Sequence, residues 1–383
     1  MTISRRKFAQ LLGAGAAAAV VRPALAFARS AASESSAAFA GIVRLSSNEN
    51  PFGPSAKALK AMSDAFSLAC RYPDEHADAL VESLAKINGV ARDQILLGDG
   101  SGEILKLAAD VFTGPVRSKG KSAAAPGALV VADPTFEAIL HHAQCNGAQI
   151  VKVPLTPDFG HDLGKMLAVA RGGVIYICNP NNPTASITPK SELRDFIARA
   201  PNNTMILVDE AYHHYADSSE YESMIPLVEH HPNLMVTRTF SKIYGMAGLR
   251  CGYCVAHSSA IERLRERQAW DSVNIMGIAA AKASLDEPDL VPDGRRLNSE
   301  TRAFTVGQLM RMGHSTIPSQ ANFVMFDAKR PVVPLIATLK QHKVQVGRLF
   351  PAMPNYMRVT IGKKSEMEAF LTVFREITTP ARV

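Results

Sequence analysis

The sequence predicts an α/β protein, with a large domain on a mostly parallel sheet covered by helices and a smaller α+β domain after it. Three observations carry this expectation. Short, nearly uninterrupted apolar runs recur at residues 128–132, 149–153, 174–178, 205–208, 235–239 and 251–255. Amphipathic helical patterns lie between several of them, as at 189–199 and 258–270. Strands apolar on both faces need helices on both faces, which the crossovers of a parallel sheet supply. Beyond residue 296 the pattern changes: a long helix (299–312), a strand (322–327), a helix (333–342) and a strand (357–361). A last helix is opened by Ser365-Glu366-Met367-Glu368, which has capping-box spacing.

The 383 residues suit one large and one smaller domain. The expected division is an export signal (1–28, removed), a Ser/Ala-rich linker (29–42), an N-terminal segment packing with the small domain (43–70), a large cofactor-binding domain (71–295) and the small domain (296–383). The signal begins Ser4-Arg5-Arg6-Lys7-Phe8, continues through the apolar stretch 11–21 and ends at Ala24-Leu25-Ala26. A basic start, a short apolar middle and a small-residue site describe export rather than a membrane span. Paired arginines before a weakly apolar, Gly/Ala-rich middle resemble a twin-arginine signal. The precursor is therefore expected to meet the twin-arginine machinery in the cytoplasm and the mature protein to reside in the periplasm. Cleavage near Ala26 or Ala28 lowers the net charge from +7 to +3, or to +2 without Arg29, which gives no case for nucleic acid.

Five cysteines are an odd, sparse set and a poor disulfide framework. Cys251 and Cys254 have C-x-x-C spacing but sit in a strand-like run, where their thiols point apart, so neither a redox nor a metal role is expected. His141-His142 and His213-His214-Tyr215 raise a metal hydrolase as an alternative, yet neither has H-E-x-x-H spacing.

Ligands of an open parallel sheet collect beyond the carboxyl ends of its strands, and the reactive residues fall there. Leu97-Gly98-Asp99-Gly100-Ser101-Gly102-Glu103 leaves a strand and enters a helix, where free amides and a hydroxyl make either a phosphate site or a plain tight turn. Asp209 closes the strand at 205–208, as a helix cap or as the partner of a protonated ring nitrogen. Thr239-Phe240-Ser241-Lys242 closes the next, with Arg250 after a Gly-rich connection. A lysine there is a solvated charge or, if desolvated near other cations, a Schiff-base amine. The neighbouring hydroxyls and arginine suit a phosphate dianion.

From about Leu45 the chain resembles the fold-type-I, class I/II aminotransferases, and most closely their histidinol-phosphate aminotransferase branch. The matching stretches are LSSNENPFGPS from Leu45, RYPD from Arg71, GDGSGEIL from Gly98, DPTFEAI from Asp133, NPNNPTAS from Asn179, VDEAY from Val208, TFSKIYGMAGLR from Thr239 and MRVTIG from Met357. The resemblance implies pyridoxal phosphate held by Lys242, which also shuttles the proton. It implies that Asp209 pairs with the ring nitrogen, Tyr212 and Asn182 hydrogen-bond the ring hydroxyl, and Phe136 stacks on the ring. Ser101, Gly102, Thr239, Ser241 and Arg250 are the residues it assigns to the cofactor phosphate, with Tyr72 reaching in from the partner of a homodimer; Glu103 is counted among the cofactor-binding residues. Arg358 is assigned to the substrate's anionic end, supplemented by Arg348, and Asn48, Asn50 and Asn322 to its side chain.

The implied reaction moves an amino group between an anionic donor and a 2-oxo acid such as 2-oxoglutarate. Alternatives are a periplasmic aminotransferase of aromatic or other free amino acids, a lyase similar to threonine-phosphate decarboxylase, and a non-catalytic binder. Retention of Lys242 and Asp209 opposes the last. Two features depart from the branch: Ala185 stands where relatives usually carry glycine, and an export signal is at odds with a phosphorylated biosynthetic intermediate.

Overall fold

A computed structural model describes residues 41–115 and 127–379. The expected export signal and the linker through residue 40 lie outside the described residues. Contacts group Arg44–Val383 as one unit.

After strand β1 (Val43–Leu45) and helices α1 (Ala56–Ala65) and α2 (Asp74–Asn88), seven strands form the main sheet. They are β2 (Ile95–Gly98), β3 (Leu129–Asp133), β4 (Ile150–Pro154), β5 (Gly173–Cys178), β6 (Thr204–Asp209), β7 (Leu234–Thr239) and β8 (Gly252–Ala256), in the order β2-β8-β7-β6-β5-β3-β4. β8 runs antiparallel to both neighbours and the other pairings are parallel. Every residue of β5 to β8 is buried. Alternate side chains enter two cores: Ile175, Ile177, Ile206 and Val208 meet Leu193, Phe196 and Ile197 of α6 (Lys190–Arg199). Val174, Tyr176, Met205 and Leu207 meet Ile104, Leu105 and Phe112 of α3 (Gly100–Phe112). This two-sided burial is why the runs lack polar alternation. Cys251 packs in the first core and Cys254 in the second, so the C-x-x-C thiols do face apart.

Helices α4 (Ala138–Cys145), α5 (Leu163–Val169), α7 (Ser258–Arg265) and α8 (Ile275–Leu285) complete the cover, and α9 (Leu290–Arg311) leads into the C-terminal part. There β9 (Phe323–Asp327) pairs antiparallel with β11 (Tyr356–Thr360), with α10 (Val332–Gln341), β10 (Val344–Val346) and α11 (Lys364–Thr378) around them.

Several boundaries differ from expectation for local reasons. α9 starts at Leu290 and runs across the expected 295/296 junction. α7 stops at Arg265 rather than continuing to 270, because Gln268 turns inward to donate to the Leu97 carbonyl at 2.8 Å. α11 begins at Lys364, and Glu366, not Glu368, reaches back to accept from the Lys363 N–H at 2.6 Å. β10 has only three residues, too few to show a period. The segment 43–70 divides: Asn48 donates its N–H to Thr360 at 2.9 Å in the C-terminal part, whereas α1 packs on α8.

Candidate active site

β5, β6 and β7 are parallel and in register, with Cys178 beside Asp209 and Asp209 beside Thr237. Their exits therefore open at one sheet edge. Antiparallel β8 starts at that edge, with Gly252 opposite both Thr239 and Gly98, which brings Arg250 and the start of α3 to it as well. A cavity of about 230 Å³ opens there, lined by Asn48, Ser101, Gly102, Phe136, Asn182, Asp209, Tyr212, Thr239, Ser241, Lys242, Arg250 and Arg358. All were expected from the sequence; Ser47, Cys178 and Ala211 line it too and were not. Cys178 was accessible in principle, since it ends the strand next to the one that ends in Asp209.

One part of the cavity gathers hydrogen-bond donors around Arg250. Arg250, itself in the left-handed region at φ +53°, donates to Ser241 Oγ at 3.4 Å and to the carbonyls of Ala247 and Asp99 at 3.1 and 3.2 Å. Thr239 Oγ1 donates to Ser241 Oγ at 2.9 Å. Gly100, at φ +72°, is required by the arginine: a Cβ there would lie 2.1 Å from Arg250 Nη2. A Cβ on Gly252 would lie 2.5 Å from the Ser101 nitrogen, so β8 can approach the helix start only without a side chain. Among the described residues no carboxylate pairs with Arg250. Helix N–H groups, two hydroxyls and an unpaired guanidinium are the donors a phosphate monoester requires.

Beside it lies the reacting centre. Asp209, 2% exposed, accepts from the Tyr176 hydroxyl at 2.8 Å and the Ala211 N–H at 3.0 Å. Burial pushes its carboxyl up to about 6, opposed by those two bonds and by Lys242. Burial, followed by the Arg358 charge, brings Lys242 down to about 8, with Glu49 and Asp209 acting the other way. Lys242 Nζ sits 5.6 Å from the Tyr212 ring centroid. The Tyr212 hydroxyl accepts from Asn48 Nδ2 at 3.0 Å and Asn182 Nδ2 at 3.3 Å. A buried carboxylate beneath the cavity and a softened lysine above it suit a protonated pyridine nitrogen and an aldehyde-bearing ring. The residues present thus fit pyridoxal phosphate.

Arg358, on β11, is 9% exposed. It donates to Asn182 Oδ1 at 2.6 Å and the Ser46 carbonyl at 2.7 Å, and its carbon Cζ lies 5.2 Å from the Phe350 ring and 5.6 Å from that of Phe323. Its Nε has no partner, and no described carboxylate pairs with it.

Five expected residues do not line the cavity. The Glu103 carboxylate, expected to bind cofactor, accepts from the Asp99 N–H at 2.6 Å and from Ser272 at 2.7 Å, so it braces the turn into α3 instead of lining the cavity. Asn50 donates to the Ile243 carbonyl at 2.7 Å, pinning the N-terminal segment to the lysine loop. Asn322 donates to the Asn48 and Glu49 carbonyls at 3.0 and 3.3 Å and so supports Asn48 from behind. Arg348 pairs with Glu137 at the surface and stacks on Phe350 at 4.4 Å. Tyr72 is 80% exposed on the protomer. Ala185, fully buried, takes φ +60°, the conformation for which glycine is suited. His141 and His142 lie on α4, and among the described residues no group of three His, Cys, Asp or Glu could hold a metal.

Fold and site together define a pyridoxal-phosphate enzyme that works on amino groups. The chain belongs to the aminotransferase class I and II family, whose model matches residues 40–374. It is 36% identical over 341 residues to histidinol-phosphate aminotransferase of Moorella thermoacetica, covering 88% of this chain and 85% of that one. A crystal structure of histidinol-phosphate aminotransferase from Sinorhizobium meliloti in complex with pyridoxal-5'-phosphate superposes with a TM-score of 0.79 at 25% identity, covering 88% and 92% of the two chains. L-threonine-O-3-phosphate decarboxylase from Porphyromonas gingivalis shares the fold, with a TM-score of 0.76 at 22% identity and coverage of 88% and 99%. The protein is a histidinol-phosphate aminotransferase-like, pyridoxal-phosphate-dependent transaminase.

Proposed function

We propose that the enzyme moves an amino group from a donor with an anionic end, histidinol phosphate among them, to a 2-oxo acid such as 2-oxoglutarate. The observation that carries this reading is Arg358: a buried guanidinium without a carboxylate, sharing its cavity with Lys242. Burying an unpaired charge is costly unless a ligand supplies the counter-charge. Pyridoxal phosphate, when bound, supplies the electron sink for the bond broken at the substrate's amino-bearing carbon.

The residues divide the remaining work. Arg250, Ser101, Gly102, Thr239 and Ser241 would hold the cofactor's phosphate, and Phe136 would lie against its ring. Asp209 would stabilise a charge on the ring nitrogen, and Tyr212 and Asn182 would donate to the ring hydroxyl. Lys242, close to neutrality at about 8, is the base that takes the proton from the substrate carbon and returns it. Arg358 fixes the anionic end so that this carbon faces Lys242.

A second donor class is favoured by one observation. Arg348 is neutralised by Glu137 outside the cavity, leaving a single guanidinium toward the substrate. One charge suits the carboxylate of a free amino acid as well as a phosphate. Assaying a panel of phosphorylated and free amino donors with 2-oxoglutarate decides between the classes. Carbon dioxide release without glutamate formation would instead place the enzyme among the lyases.

Two further parts belong to this reading. The enzyme is a homodimer in which Tyr72 reaches the partner's cofactor phosphate. Supporting this, Tyr72 and Trp270 (93% exposed) are large aromatics left in solvent, and Trp270 flanks an apolar groove of about 340 Å³. The precursor leaves the cytoplasm through the twin-arginine route, supported by Arg5, Arg6 and the run that follows them.

A further inference from the structure

Asp209 is held by a residue that the cavity does not expose. Tyr176 lies on β5, two residues before Cys178, and points to the same face of the sheet. Its side chain is fully buried, and its hydroxyl donates to Asp209 Oδ2 at 2.8 Å. The other carboxylate oxygen, Oδ1, accepts the Ala211 N–H at 3.0 Å. Each oxygen therefore carries one fixed donor, which locks the carboxylate plane and leaves one remaining lone-pair direction on each oxygen. The Ala211 bond comes from the next turn of the same chain and forms whenever β6 ends there. The Tyr176 bond crosses between strands and depends on one side chain, at the β5–β6 register that sets Cys178 beside Asp209.

We propose that Tyr176 is the positioning residue of Asp209: its hydroxyl orients the carboxylate and keeps it in the anionic form that a protonated cofactor ring nitrogen needs. The inference rests on the cofactor reading given above. The other titratable groups around Asp209 do not substitute for it. Cys178 sits beside it on β5, but its thiol donates to the Pro180 carbonyl at 3.4 Å. Lys242 acts through charge alone, Glu210 opposes ionisation, and Tyr212 and Tyr221 are neutral phenols whose pKa values burial raises. Tyr176 is the only side chain among the described residues with a hydrogen bond to the Asp209 carboxylate. An aromatic ring would satisfy the core at this position, where Val131 and Leu207 lie opposite on the flanking strands. The hydroxyl thus has a purpose that packing does not require.

The test is Tyr176→Phe, which keeps the ring, together with 3,5-difluorotyrosine at position 176, a stronger donor of the same shape. The apo-protein is titrated by infrared spectroscopy, with Asp209→Asn as the blank that identifies the carboxyl band. Pyridoxal phosphate dissociation is then measured across pH. Loss of one hydrogen bond to the charged form raises a carboxyl pKa by about one unit. Tyr176→Phe should therefore move the Asp209 titration upward by that amount, from about 6 to about 7, and weaken cofactor binding about twofold near neutral pH and up to about tenfold below pH 6. The fluorinated residue should move the titration down. A merely structural tyrosine predicts no shift in either direction. An Asp209 titration unchanged in both variants overturns the proposal. Should the wild type take up no pyridoxal phosphate, the cofactor reading fails instead, and the infrared titration still decides the Tyr176–Asp209 coupling. If Tyr176→Phe does not fold, the fluorinated variant alone carries the decision.

Discussion

Asn182 Oδ1 accepts from Arg358 Nη1 at 2.6 Å, and this bond joins the two halves of the active site. Asn182 leaves the carboxyl end of β5 in the main sheet, whereas Arg358 lies on β11 in the C-terminal part. The same amide donates to the Tyr212 hydroxyl at 3.3 Å, so one side chain sets the Arg358 guanidinium relative to the Tyr212 phenol in the same cavity.

Arg358→Ala should lower kcat/KM by about 2–5 kcal/mol, the usual cost of removing one partner of a buried charge pair. Cofactor affinity should stay within a fewfold of wild type, since Arg250, not Arg358, is bonded into the cluster of Thr239 and Ser241 proposed to hold the phosphate. Steady-state kinetics with an equilibrium measurement of pyridoxal phosphate binding checks both halves. Arg348→Ala separates the donor classes. A loss confined to phosphorylated donors brings Arg348 into the cavity on binding, and an equal response to all donors leaves it a surface partner of Glu137.

Purified protein should be yellow from lysine-linked pyridoxal phosphate, and Lys242→Ala should lose both the linkage and turnover, by at least about 10²–10⁴-fold. The rate at which apo-protein captures pyridoxal phosphate should rise with pH and level off above about 8, because the neutral amine is the reacting form. The sign for stability follows. A lysine depressed in the folded state leaves the apo-protein least stable from this group below about 8. Stability is regained as pH rises toward the ordinary lysine value of about 10.4. Capture that keeps accelerating up to pH 10 would show Lys242 to be unperturbed.

Ala185 tests a backbone term. The left-handed region costs an L-residue about 1–2 kcal/mol. Ala185→Gly relieves that cost but loses a buried methyl group worth about 0.8 kcal/mol and adds unfolded-chain entropy worth about 0.4–1 kcal/mol. The terms nearly cancel, so the urea midpoint should barely move. Ala185→Val should cost about 3 kcal/mol, through overpacking and a β-branched residue at positive φ.

In sedimentation the enzyme should run as a dimer, and Tyr72→Phe should weaken cofactor binding by about tenfold without changing the thermal midpoint of the apo-protein. A fully active monomer contradicts the shared site.

Replacing Arg5 and Arg6 together with lysine should strand precursor in the cytoplasm. Periplasmic yield equal to wild type would exclude a twin-arginine signal.

The strands, the lysine and its cavity-lining neighbours were legible because each is a local pattern: an apolar run, a glycine-rich turn, a hydroxyl beside a lysine. The unread residues act over distance. Tyr176 looked like one more apolar strand position, because nothing in its own sequence neighbourhood reveals the carboxylate on the adjacent strand. Glu103 stands in a glycine-rich run at a helix start, yet its carboxylate finds its donors at Asp99 and Ser272, away from the cavity. Arg348 and Arg358 are ten residues apart and equally basic by sequence.

By itself, then, the sequence determined the alternation of strands and helices and the chemical groups at the strand ends. Burial of apolar runs and the backbone needs of turns are short-range demands that neighbouring residues reveal. Only the tertiary structure decided which charges face the cavity. Register between β5 and β6 places Tyr176 against Asp209, and the packing of β11 against the Asn182 loop turns Arg358 inward while Arg348 meets Glu137 outside. Charge and hydrogen-bond partners are chosen by proximity in space, and residues 176 and 209, or 182 and 358, become neighbours only when the chain closes.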